Sequence, residues 1–169
     1  MTDTADVRLR TPTVADGPAL WQMAVDSVTL DVNAPYAYLL WCRDFAATSV
    51  IAEVNGAPGG FITGYRRPDQ PATLMIWQVA VNTAHRGVGL AGRMLDHLAT
   101  ALTPAGVTHL ETSITPDNDA SRRLFTAFAR RWDAALECSE LFGAGLFPES
   151  HLAEELFRIG PLRVPPSRF

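Results

Sequence analysis

The chain has 169 residues, of which 47% are apolar and 19% charged, enough to bury a core and too apolar for wholesale disorder. Its 14 basic residues, all arginine, face 18 acidic ones for a net charge of −4, which excludes Schiff-base lysine chemistry and argues against nucleic-acid binding. No apolar run is long enough for a bilayer-spanning helix. The acidic start, Met1-Thr2-Asp3-Thr4-Ala5-Asp6, lacks the features of a secretory signal. The two cysteines, Cys42 and Cys138, lie far apart without C-x-x-C, so a reduced, cytoplasmic chain with no metal is expected.

The first strand is expected over Val7-Arg8-Leu9-Arg10. Thr13-Val14-Ala15-Asp16 is similar to a capping box, with Asp in place of Glu or Gln, and Leu20, Met23, Ala24 and Ser27-Val28 follow at helical spacing. After the loop Leu30-Asp31-Val32-Asn33-Ala34-Pro35, a second helix is predicted from about Tyr36 to Ala47. Strands over Ser49 to Val54 and Gly60 to Tyr65 flank Asn55-Gly56-Ala57-Pro58, a hairpin with an Asn-Gly turn signal. A long strand, Thr73 to Val81, leads through a glycine-bearing loop into a helix over Leu90 to Leu102, with Leu90, Met94, Leu95 and Leu98 on its buried face. Val107 to Ile114 reads as a strand. Pro116-Asp117-Asn118-Asp119 opens a helix carrying Leu124, Phe125 and Phe128, and strands near Ala134 to Cys138 and over Glu155 to Ile159 close the chain. The order β-α-α-β-β-β-α-β-α-β-β implies an α/β fold with a mixed sheet. Proline and glycine are scattered as punctuation, so one domain is expected over 1–169, with its core at about 7–160 and a short C-terminal tail.

The strongest local signal is Arg86-Gly87-Val88-Gly89-Leu90-Ala91 between strand and helix. Small residues there let backbone approach a partner closely, and the N–H groups of a helix start form an anion site. The loop lacks the Gly-Lys-Ser/Thr of a Walker motif and the third glycine of a dinucleotide fingerprint. On the glycines alone, a plain turn explains it equally well.

The segment Gln78-Val79-Ala80-Val81-Asn82-Thr83-Ala84-His85-Arg86-Gly87-Val88-Gly89-Leu90-Ala91 resembles the cofactor motif of the GNAT N-acetyltransferases, with Arg86, Gly89 and Ala91 filling its Arg/Gln-x-x-Gly-x-Gly/Ala pattern. Asn118 with Ala120, Leu124 and Phe125 resembles the motif that follows. The resemblance implies a GNAT fold with a splayed central strand. Acetyl-CoA would then be held by main-chain bonds at Val79 and Val81, by Arg86, Gly87, Val88, Gly89, Ala91 and Gly92 around the pyrophosphate, and by Asn118 and Ser121. The N–H of Val79 would polarise the thioester carbonyl.

A closer resemblance runs through Leu30 to Tyr38, Trp77 to Val81, Thr108 to Asn118, Leu146-Phe147-Pro148-Glu149 and Leu156 to Pro161. These segments look like the diaminobutyrate acetyltransferases of ectoine biosynthesis, which acetylate the γ-amine of L-2,4-diaminobutyrate. That resemblance implies a homodimer. A diamino acid needs carboxylates for its ammonium groups and donors for its own carboxylate. Asp31, Asn33, Tyr36, Tyr38, Trp77, Glu111, Ser113 and His151 are the acceptor candidates, with Asp31 and Glu111 as the catalytic acidic pair. Loop capping, a solvated strand carboxylate and a core aromatic are the structural alternatives for Asp31 and Asn33, for Glu111 and for Trp77. Many enzymes of this fold protonate the departing thiolate with a tyrosine where this chain has Phe125, and no tyrosine follows Tyr65.

Overall fold

A computed structural model describes residues 5–163. The first four residues and the tail from 164 on lie outside the described residues. In chain order the elements are β1 (Val7–Arg10), α1 (Gly17–Asp26), α2 (Pro35–Asp44), β2 (Val50–Val54), β3 (Ala57–Arg67), β4 (Gln70–Val81), α3 (Leu90–Leu102), β5 (His109–Ile114), α4 (Asp119–Arg131), β6 (Ala135–Phe142) and β7 (Glu154–Gly160). The hydrogen-bonded strand order is β1-β2-β3-β4-β5-β7-β6. β4 and β5 run parallel, whereas β1–β2, β2–β3, β5–β7 and β7–β6 are antiparallel, so the sheet is mixed as expected.

Two differences from the sequence reading have local causes. α2 stops at Asp44 rather than Ala47, and a short 3-10 turn over Ala46–Thr48 follows. There the Ser49 hydroxyl donates to the Phe45 carbonyl and the Thr48 hydroxyl to the Gly64 carbonyl, at 2.8 and 2.6 Å, drawing the chain off the helix. Val28, expected at helical spacing after Ala24, is 91% exposed with φ 63°, because the helix has already ended.

The described residues form two compact units: one holds the chain through Tyr65 with Trp77–Ala99, the other Arg66–Ile76 with the chain from Thr100. In the first, Leu20, Met23 and Ala24 of α1 and Tyr38 and Cys42 of α2 pack with Ile51, Phe61 and Ala80 of the strands. Burial pushes the Cys42 thiol up to about 11. Gly60 serves the opposite strand face, where a Cβ would meet the Ala80 carbonyl oxygen at 3.0 Å and Met94 Cε at 3.1 Å, so its lack of a side chain seats α3. The Asn55-Gly56 turn has both residues at positive φ, as a two-residue hairpin demands.

In the second unit, α4 presents Phe125, Phe128 and Ala129, followed by Trp132, all buried. Phe128 and Trp132 stack at 5.7 Å. The helix side of β7 carries Glu155 and Phe157, which Arg122 of α4 engages by an ion pair at 2.6 Å and by lying 5.1 Å over the ring. Strand alternation puts Arg158 on the other face.

Asp16 fixes the entry to α1. Its carboxylate accepts from Arg10 Nη1 and Nη2 at 2.7 and 2.9 Å and from the Thr13 N–H at 2.7 Å, and the Arg10 guanidinium holds its pKa below the usual range. A lowered folded-state pKa means that this contribution is fully present above about pH 4 and fades as pH falls through the folded value. Asp16→Asn should therefore cost about 2 kcal/mol in urea denaturation at pH 7, and the difference from wild type should shrink on acidification.

Candidate active site

β4 pairs with β5 from Thr73↔His109 to Ile76↔Thr112, then continues to Val81. Val79 and Val81 thus lie beyond the end of that ladder. The Val81 carbonyl accepts from Arg86 Nε at 3.2 Å, which folds the Arg86 stem back along the strand. After β4, the Asn82 N–H donates to the Gly59 carbonyl and its amide to the Pro58 carbonyl, anchoring the loop. Gly87 and Gly89 have φ of 77° and 80°, and nothing lies within 4 Å of a Cβ built on either. Backbone conformation, not crowding by the protein, is therefore what demands glycine at both positions. The Arg93 N–H makes an intrahelical bond to the Gly89 carbonyl. The N–H groups of Leu90, Ala91 and Gly92 precede it and have no acceptor within α3. With Arg86, Val88 and Gly89 exposed, this helix start is an open seat for an anion.

In the first unit the Asp31–Asn33 loop is held from below. Gln78 Nε2 donates to the Asp31 carbonyl at 2.9 Å, the Tyr38 hydroxyl donates to Gln78 Oε1 at 3.1 Å, and the Asn33 N–H donates to the Tyr38 hydroxyl at 3.4 Å. Tyr38, expected to touch an acceptor, is instead fully buried in the core and latches the loop to β4. The Asn33 amide likewise turns to the Asp31 carbonyl, the capping alternative for that residue. Asp31 and Tyr36 are exposed. Trp77 is half-buried and stacks on Trp41 at 4.2 Å and 19°, and Trp41 also packs against Phe45 and Tyr65. Trp41 and Gln78 organise this surface, yet sequence reasoning assigned neither to the acceptor site. The only signal for Trp41 was its i, i+4 spacing to Phe45.

In the second unit Glu111 differs most from expectation. It is 3% exposed, and its oxygens are engaged separately, Oε1 by Arg158 Nη1 at 2.6 Å and Oε2 by Arg67 Nη1 at 3.3 Å. A carboxylate already flanked by two guanidiniums is poorly placed to receive an ammonium or act as a base, so the catalytic expectation for Glu111 is corrected. Nor is it the solvated strand carboxylate. Ser113 lies half-buried on the same strand face. His151 stacks on Phe147 at 4.0 Å with Nε2 3.8 Å from Glu154. Asn118 caps α4, its Oδ1 accepting the Ser121 N–H at 3.1 Å. Phe125 is a core residue, 2% exposed. His109 has its pKa lowered by burial and by the nearby Arg158 charge, against a smaller opposing pull from Glu111 and Glu137. Glu111→Gln leaves two cations without their shared counter-ion. Because both guanidiniums are a third exposed, the expected cost is about 2 kcal/mol, below that of a fully buried pair, read from urea denaturation.

The profile of the acetyltransferase (GNAT) family matches residues 18–129. The L-2,4-diaminobutyric acid acetyltransferase of Streptomyces avermitilis is 57% identical over 159 residues, 92% of this chain and 89% of that protein. Its counterpart in Nocardia farcinica is 49% identical, over 91% and 80%. Among solved structures, the diaminobutyrate acetyltransferase EctA of Paenibacillus lautus, in complex with L-2,4-diaminobutyric acid and coenzyme A, superposes with a TM-score of 0.90 at 38% identity, over 97% of this chain and 100% of that one. The mixed sheet, the glycine-bearing helix start after β4 and these matches along the chain agree: this chain belongs to the GNAT acetyltransferase family.

Proposed function

We propose that the chain transfers acetyl from acetyl-CoA to the γ-amine of L-2,4-diaminobutyrate, as the ectoine-pathway enzymes it resembles do. The observation that carries this is the similarity to EctA of Paenibacillus lautus across 97% of the chain, that structure holding both the diamino acid and coenzyme A. The residues present fit the cofactor: the unpaired N–H groups of Leu90, Ala91 and Gly92 and the Arg86 charge suit a pyrophosphate, and β4 beyond Ile76 offers main-chain groups at Val79 and Val81 to an amide-bearing arm. Asn118 and Ser121 support the same cofactor from the start of α4.

For the chemistry, the Val79 N–H donates to the developing oxyanion of the thioester. The acceptor amine must first lose a proton, since an alkyl ammonium has a pKa of about 10. Asp31, exposed at the loop that Tyr38 and Gln78 secure, attracts that ammonium and passes its proton to water. Trp77, braced by Trp41, walls the aliphatic part, and Asn33, Tyr36, Ser113 and His151 are the further candidates for acceptor contact. Glu111 is left out as a base. With phenylalanine at position 125, the thiolate takes its proton from the attacking nitrogen or from water.

We further place the chain in the cytoplasm as one domain that works as a homodimer. The edge strand β6, exposed along most of its length with Phe142 at its end, supports the dimer.

Thiol release from acetyl-CoA with a panel of amines tests the reaction. Diaminobutyrate should outpace ornithine and lysine, with γ-acetyl product by NMR; equal turnover of all three, or none without a protein partner, would argue for a broader amine enzyme or a non-catalytic acyl-CoA sensor. Gly89→Glu should weaken acetyl-CoA binding at least tenfold by calorimetry, because it strains a φ of 80° and sets a carboxylate at the anion seat. Asp31→Asn should keep acetyl-CoA affinity near normal and lower kcat/KM for diaminobutyrate by roughly 30- to 1000-fold, an ion-pair loss of about 2–4 kcal/mol.

A further inference from the structure

An arginine whose role is only to hold a fold together tends to have its donors engaged. Arg10 is such a case: Nε goes to Glu53, and Nη1 and Nη2 to Asp16. Arg158 differs. Both its hydrogen bonds leave from Nη1, to Glu111 Oε1 at 2.6 Å and to Thr73 Oγ1 at 3.4 Å. Among the described residues its Nε and Nη2 have no hydrogen-bond partner, and 31% of the side chain is open to solvent. The two groups beneath it are buried, Thr73 at 2% and Glu111 at 3% exposure. One corner of the guanidinium is thus tied down by fixed partners while its other donors remain available.

Glu111 is shared between Arg158 and Arg67, and the second partner of Arg67 is Asp69, whose side chain is 67% exposed. Two guanidiniums therefore meet one buried carboxylate, while the exposed Glu137 stands opposite Arg158 in the β6–β7 ladder without a hydrogen bond to it. The field of Arg158 already reaches His109, helping to lower that residue's pKa. In the ladders, Glu111 stands opposite Arg158 on one side and Met75 on the other, and Trp77 follows Met75 by two residues on β4. α4 covers the Phe157 side of β7, leaving Arg158 on the face that helix does not cover.

We propose that Arg158 binds the α-carboxylate of the acceptor through its unengaged donors, with Glu111 as the positioning residue that aims it. This rests on the diamino-acid reading given above and adds a residue that selects amino acids over plain diamines. Planar guanidinium donors suit a carboxylate better than a point charge does.

The test compares diaminobutyrate with 1,3-diaminopropane, which has the same spacing of amines and no carboxylate, using the full chain. Arg158→Gln should raise KM for diaminobutyrate roughly 30-fold, the scale of a lost charge-assisted contact, with a smaller change in kcat. Its kcat/KM for 1,3-diaminopropane should stay within about threefold of wild type. Arg158→Lys keeps a cation for Glu111, guards against misfolding and should give an intermediate KM. Equal losses on both diamines in the folded Lys variant would make Arg158 a structural residue and overturn the proposal. A second measurement needs no variant: with coenzyme A saturating, diaminobutyrate should shift the His109 imidazole resonances and 1,3-diaminopropane should leave them in place. Absence of a shift with diaminobutyrate would also overturn it. A wild-type enzyme that acetylated both diamines equally well would overturn this inference alone, whereas one that acetylated neither would overturn the acceptor reading itself.

Discussion

The parallel ladder between β4 and β5 is short: four residue pairs, ending at Ile76↔Thr112, whereas β4 runs on to Val81. Backbone N–H and C=O groups that leave a ladder still need partners. In this chain one such group, the Val81 carbonyl, is met by the Arg86 side chain. The strand then passes directly into a loop whose glycines hold positive φ and whose helix begins with unpaired N–H groups. A strand end beyond its ladder followed by an anion seat suits a long ligand with amides at one end and phosphates at the other. The rest of the first unit keeps this segment in place, through Asn82 on the β2–β3 hairpin side and Gly60 under α3.

What the sequence made legible was local. The Asn55-Gly56 hairpin, the buried stripe Leu90, Met94, Leu95 and Leu98, and the limits of α3 follow from contacts between near neighbours in the chain, where periodicity and turn chemistry suffice. The misplaced residues are those whose partners lie far away. Tyr38 was set at the acceptor because it follows Asp31 and Asn33, but its hydroxyl finds Gln78, 40 residues on. Glu111 was assigned to the correct strand, yet Arg67 and Arg158 are 44 and 47 residues distant, and no pattern in the chain states which residues a strand register will oppose.

The absence of lysine sharpens the electrostatics. Every side-chain cation other than histidine is a guanidinium, able to bridge two acceptors at once. Arg10 joins Glu53 and Asp16, Arg67 joins Glu111 and Asp69, and Arg122 pairs with Glu155 while covering Phe157. Each such arginine joins two partners where a lysine would make a single point contact. Exposure and loop position, rather than ion pairing, single out Asp31 among the acidic candidates.

Phe125 brings the packing and the chemistry together. On α4 it turns toward the interior with Phe128, Ala129 and, just beyond the helix, Trp132. A hydroxyl there would need a buried acceptor, whereas an apolar ring adds to the packing under β7. In the reaction we propose, proton transfer to the departing sulfur falls to the amine or to water. Direct attack by an amine releases its own proton close to the leaving group, so the reaction does not require a dedicated acid. The demand on the protein is then to align the amine, the role we propose for the latched Asp31 loop and the braced Trp77.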